Sequence, residues 1–273
     1  MEENTTENVI LDFNNALNIL DRVSESFNVD AWIPSTSSYL SFKELDAKQQ
    51  KSLLTAAMDT TVYNTGFIKA FYNILNENLL TEGEDLVNSL TLADKACIAL
   101  TLKRQISDEI NIVFDEAKDI SNKYKISDIL EQFKSYNAPS SIILDAKSES
   151  FSIKVEVLPP TVKVEVDYDS QLKNKTKSED VKTEEDVKVL VTEAFLGELS
   201  KFVNKVWVND DEIVLNNLKF EQRVKIIEKL PSNIIQKIIE TVSSWKKNLD
   251  DVLTVKHEDY VKTITIDSLL FLN

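Results

Sequence analysis

The stretch Phe151-Ser152-Ile153-Lys154-Val155-Glu156-Val157-Leu158-Pro159-Pro160-Thr161-Val162-Lys163-Val164-Glu165-Val166-Asp167-Tyr168 decides the fold class. Apolar and polar residues alternate on both sides of Pro159-Pro160, and a period of two marks a half-buried strand. Val and Ile fill most of the apolar positions, as suits a pleated surface. Neither proline can donate to a ladder, so the pair predicts a kink, an edge position or a chain crossing. With the run at 141–145, three strands are expected, at 141–145, 151–157 and 161–168. Downstream, 170–186 is polar and charged and reads as a solvated, flexible loop. A helix is expected at 193–204 on Phe195, Leu199, Phe202 and Val203. A hairpin follows, 206–208 and 213–215 around Asn209-Asp210-Asp211. Helices at 219–229 and 232–248 are split by Pro231, and a strand pair at 252–256 and 262–266 precedes the apolar tail Leu269-Leu270-Phe271-Leu272.

Upstream the period is mostly helical. Pro34 and the hydroxyl residues 35–38 read as a turn joining two extended pieces at 31–42. Asp46 is placed to cap a helix running to about Met58. A second helix is expected at 65–80, on Phe67, Phe71, Ile74, Leu75 and Leu79. Thr91 and Asp94 have the spacing of a capping box with Asp in the Glu position, and they open a helix at 92–103. Ile110, Ile112 and Phe114 alternate as a strand. The charged stretch 115–125 leads to a short helix on Ile129, Leu130 and Phe133. Helices and strands come in mixed order, so the expectation is α+β, with short antiparallel strands rather than a doubly wound sheet. The expected parts are an N-terminal amphipathic helical arm at 1–30, a mainly helical part at 31–136 and an α+β part at 137–273, the last two compatible with one continuous domain.

Composition excludes several classes. The 273 residues carry 31 basic and 46 acidic side chains, a net charge of −15. Only Arg22, Arg104 and Arg223 are arginines. Phosphate binding needs clustered cations, and Arg is the better fork for it, so nucleic acid is not expected as a partner. One Cys cannot form a disulfide within the chain, and one Cys with one His cannot build the common zinc site. Three glycines make a Gly-rich phosphate loop improbable on composition. The longest apolar run is Ala96–Leu100, far short of a membrane span, and the acidic N-terminus lacks the pattern of a secretory signal. A soluble protein kept in the cytoplasm is expected.

Candidate chemistry is sparse. His257 has Glu258 and Asp259 beside it but no nucleophile elbow. Cys97 sits among apolar neighbours and reads as an inert thiol. Asp210-Asp211-Glu212 is an acidic turn, and carboxylates suit hard cations, but a plain hairpin explains it too. Asp167-Tyr168-Asp169 begins like a calcium loop and fails at Leu172 and Ser178. No catalytic, cofactor-binding or metal-ligating residue is expected, and the protein is not read as an enzyme.

Interaction features are richer. Val9, Phe13, Ala16, Leu20, Val23 and Phe27 recur with the spacing of a coiled-coil seam, widened by Ile10 and Leu17. The segment reads either as a helix folded back on its own domain or as a partner-binding arm. Leu269 and Phe271 in the tail are further candidate contacts. Trp32, Trp207 and Trp245 read as core residues or as anchors.

Several of these segments together resemble the baseplate hub and hub-assembly proteins of T-even-type contractile-tailed phages. The resemblance rests on Ile33-Pro34-Ser35, on Leu40-Ser41-Phe42-Lys43-Glu44-Leu45 and on the helix from Lys48 through Ala57. It continues through Asn73-Ile74-Leu75, Leu90–Lys95 and Leu102-Lys103-Arg104-Gln105-Ile106-Ser107-Asp108. Near the C-terminus it rests on 213–215, 220–231, 234–242 and 261–272. It covers most of 31–114 and 150–273, while 1–30 and 115–136 stand as additions. Lys48-Gln49-Gln50-Lys51 departs from the more acidic version of that helix, and Lys103-Arg104 stands in place of Leu-Arg. The resemblance implies a structural or assembly component of the hub or inner baseplate, without cofactor. Its partners would be other baseplate or hub proteins, a homo-oligomer being compatible with it. It would work in the host cytoplasm during assembly and then in the virion tail. Rival readings are a hub-assembly chaperone absent from the particle, a cation-dependent hydrolase using Asp210, Asp211 and Glu212, and a cellular adaptor.

Overall fold

A computed structural model describes residues 15, 27–57, 65–83, 85–176 and 184–265. The chain is an α+β protein with short antiparallel sheets. Its first core is built around α4 (Leu92–Ile106), which is buried without a break from Ala93 to Lys103. A helix apolar on most sides has to be enclosed. The enclosure comes from the hairpin β1 (Asn28–Ile33) and β2 (Ser38–Lys43), and from α1 (Ala47–Ala57), α2 (Thr65–Asn78) and the short α3 (Leu86–Ser89). A second hairpin, β3 (Glu109–Asp115) with β4 (Ile120–Lys125), and α5 (Ile126–Ser135) complete it.

The capping box forms as expected. The N–H and hydroxyl of Thr91 both donate to Asp94 Oδ2, at 2.7 and 2.8 Å. Asp94 Oδ1 also accepts the N–H of Ser35 at 2.8 Å, so one buried carboxylate starts the helix and pins the β1–β2 turn.

The second core is a four-stranded antiparallel sheet, ordered β5 (Ile142–Lys147), β6 (Ser152–Val157), β7 (Val203–Val208), β8 (Asp211–Val214). One face carries Val155, Val157 and Val206 against α8 (Phe220–Lys229) and α9 (Ser232–Leu253). The other carries Ile143, Asp145, Lys154, Glu156, Lys205 and Trp207 and is mostly polar, the usual division for an antiparallel sheet. The 22 residues of α9 span about 33 Å. They run from the second core at Ile234 and Ile238 to the first at Leu249 and Leu253. Near the end of the described part, β9 (Thr254–His257) and β10 (Tyr260–Thr263) return the chain to the first core through Val255 and, just after β10, Ile264. The first core therefore draws residues from both sides of residue 136.

Three sequence expectations need correction. The run 161–168 is not a strand: it opens α6 (Val162–Thr176), which carries residues 170–176 of the expected loop as well. Its alternation arises because the helix is covered on more than one side. Val162 packs in the first core, Tyr168 against Phe220 and Val224, and Glu165 against Lys95. The helix expected at 193–204 is α7 (Glu184–Ser200), and Phe195, read as inward-facing, is 51% exposed. The charged stretch 115–125 contains β4, whose partner β3 supplies most of the apolar side chains.

Candidate interaction surfaces

The sheet has one open edge of useful length. The N–H of Ser148 donates to Phe151 O at 2.8 Å and the N–H of Asn209 to Ser152 O at 2.7 Å. In an antiparallel ladder bonding direction alternates along each strand. These two bonds therefore turn Ile142, Leu144 and Ala146 toward β6, and they turn the backbones of Ile143, Asp145 and Lys147 away from it. Among the described residues no backbone partner meets that outer row. Only Asp145 O is approached, by Lys237 Nζ at 3.5 Å. Beside exposed Asp145 and Lys147, two apolar side chains also stand open at this edge: Ile143 is 51% exposed and Phe151, in the turn at its end, 59%. An exposed strand edge with unpaired backbone groups is a template for another strand.

Of the residues singled out for partner binding, Phe27 is described. It is half exposed, and its carbonyl accepts the N–H of Glu44 at 3.1 Å, continuing the β1–β2 ladder. Val9, Phe13, Leu17, Leu20, Val23, Leu269 and Phe271 lie outside the described residues. Trp32 packs edge-on against Tyr39, 5.1 Å between ring centres, and its buried Nε1 has no hydrogen-bond partner among the described residues. Trp207 lies on the open face of the sheet and donates from Nε1 to Glu212 Oε2 at 3.0 Å. Trp245 packs beside the second core.

Between the two cores lies a cavity of about 140 Å³ walled by Tyr136, Pro159, Pro160, Phe202, Trp245 and Leu249. Its charges are already partnered. Glu198 pairs with Lys201 at 2.7 Å and Lys246 at 3.4 Å, and Glu165 pairs with Lys95 at 2.9 Å. Burial, with help from the charge of Asp94, raises the Tyr136 phenol, so this hydroxyl stays protonated. The cavity thus offers shape and apolar surface, not a free acid or base.

The candidate chemical groups are dispersed. Cys97 is buried, and burial followed by the nearby Asp94 charge pushes its thiol up to about 12, so it is not a nucleophile at neutral pH. His257 ends β9, paired with Tyr260, its ring 5.8 Å from that of Phe114. Asp210 and Asp211 are at the exposed β7–β8 turn, while Glu212 is held by Lys205 at 3.2 Å and by Trp207. Among the described residues no three His, Cys, Asp or Glu side chains are grouped to hold a metal ion. No described helix is long and apolar enough to cross a membrane. Comparison with protein-family models, with curated proteins and with solved structures finds no match for the chain.

The open edge of β5 is the feature that sequence reading missed. Periodicity shows that 141–145 is a strand but not which strands flank it. The signal present was Ile142-Ile143, two adjacent apolar residues in a strand whose faces should alternate.

Proposed function

We propose that this chain is a structural or assembly component of a contractile phage-tail baseplate, in the hub or inner baseplate, working through protein–protein contacts. The sequence resemblance over 31–114 and 150–273 supports the setting. The observation that carries the mode of action is the outer row of β5, three backbone N–H groups beside exposed Ile143 and Phe151. A strand of another baseplate protein laid along this row would satisfy the backbone groups and cover the apolar side chains. The net charge of −15 would keep the unassembled part dispersed.

Asp145→Pro tests the mode. It deletes an N–H that points away from β6, so the sheet keeps its own bonds while a docking strand loses one and meets a ring. Phage carrying Asp145→Pro together with Ile143→Glu should yield folded protein and fewer assembled baseplates. Normal baseplate yield from that variant would remove the β5 edge from the account.

A further inference from the structure

The outer row of β5 has a sequence that complements itself. Ile143, Asp145 and Lys147 turn their backbones away from β6, and their side chains share one face of the sheet, all exposed. Among the described residues neither Asp145 nor Lys147 has an ion-pair partner. A lysine on a strand edge ordinarily discourages pairing. Here an acid stands two residues before the lysine. An antiparallel copy of the same strand presents that acid and that lysine in the reverse order.

We infer that the strand docked on this edge is β5 of a second copy of this chain, paired antiparallel about a two-fold axis at Ala146. The inference rests on the reading of the edge as a strand-docking row and names its occupant. Residues that turn outward must face residues that turn outward, because only those exchange N–H···O bonds across the new ladder. An axis at Leu144 sets each Asp145 against Ile143 of the other copy, and no charges meet. An axis at Asp145 sets the two carboxylates against each other, and like charges directly opposite are destabilising. Only the axis at Ala146 sets Asp145 of each copy against Lys147 of the other. The backbones of these two residues then exchange bonds, and Lys237 gives up its 3.5 Å approach to Asp145 O. The residue on the axis is a small alanine on the half-covered inner face of the strand, so no bulky side chain stands between the two strands there. The same register brings Ile143 of each copy level with the 148–151 turn of the other, where Phe151 is exposed. One symmetry operation therefore answers both the unpaired charges and the exposed apolar ends of the strand. A patch that complements itself about a two-fold axis closes as a dimer and leaves no free edge at β5.

The shared row is short, so the pairing is weak and depends on concentration. Sedimentation velocity of the full chain up to about 200 µM should show a reversible monomer–dimer equilibrium. Asp145→Lys alone and Lys147→Asp alone each set like charges face to face and should raise Kd about tenfold or more. An equimolar mixture of the two variants should return close to the parent Kd, because every facing pair is again opposite in sign. Recovery on mixing also shows that both variants are folded. Ala146→Cys should give a disulfide-linked dimer on mild oxidation, since facing residues at a non-hydrogen-bonded position lie about 4.5 Å apart between Cα atoms, within disulfide range. Leu144→Cys, out of register with itself, should not, and buried Cys97 takes no part. A chain monomeric at every concentration, or a dimer whose Kd ignores both charge reversals, would overturn the inference. The strand-docking reading fails or stands separately. If the chain is monomeric and Asp145→Pro with Ile143→Glu still lowers baseplate yield, the edge keeps its role and the second copy is not its occupant.

Discussion

Glu165→Ala tests how α6 is fastened between the two cores. Lys95 Nζ and Glu165 Oε2 are 2.9 Å apart, with side chains 7% and 11% exposed. At an effective dielectric near 20 their attraction is about 6 kcal/mol, much of which offsets the desolvation of both charges. The pair is therefore close to neutral as a unit, while one member alone is costly. Removing Glu165 leaves a buried ammonium without its partner and should destabilise by about 3–5 kcal/mol. For a chain of this size that lowers Tm by roughly 6–15 °C. Replacing both, Lys95→Met with Glu165→Leu, keeps volume and removes both charges. It should restore most of the loss or exceed the parent. Thermal melts by far-UV circular dichroism at neutral pH measure all three. A single-variant loss below about 1 kcal/mol would refute the reasoning, as ordinary solvent-exposed pairs contribute no more. A double variant as unstable as the single would refute it equally.

Three other predictions follow from the same packing. Asp94→Ala removes the acceptor for Thr91 N–H, Thr91 hydroxyl and Ser35 N–H and should cost about 2–4 kcal/mol by urea unfolding, with Asp94→Asn in between. Gly197→Ala would bring a methyl within 2.5 Å of Phe220 Cε2 and 2.8 Å of Tyr168 Cε2, so it should lose about 1–3 kcal/mol by the same assay. The Cys97 thiol should ignore Ellman's reagent until the chain unfolds. Its pKa, 9.0 when exposed, is about 12 in the fold, so the folded state holds the proton longer. Its contribution is full below pH 9 and falls as pH rises from 9 toward 12, which a pH series of urea midpoints on the parent and on Cys97→Ala would show.

Much of the fold was legible because local chemistry and tertiary packing agree. Ala31, Ile33, Leu40 and Phe42 alternate around a Pro-Ser turn and form a hairpin with those residues inward. Thr91 and Asp94 announce α4, and Pro231 separates α8 from α9. The failures have a common cause. Val162, Val164 and Val166 alternate like a strand because α6 is wrapped by neighbours that only the folded chain supplies. In β4, Asn122 and Lys123 carry no strand signal, and the pairing with β3 decides the conformation. Of the seam that the spacing marks, only Phe27 lies among the described residues, half exposed where the β1–β2 ladder continues. The free edge of β5 depends on strand order, a property of the whole sheet.

The proposed role, a part of a contractile-tail baseplate that works by protein contacts, is tested most directly by quantitative mass spectrometry of contractile tails purified from the biological source of this chain. The account predicts the chain in the particle at a fixed small-integer ratio to hub proteins, or bound to them in the infected lysate as an assembly factor. Absence from both the particles and every complex containing a baseplate protein would contradict it.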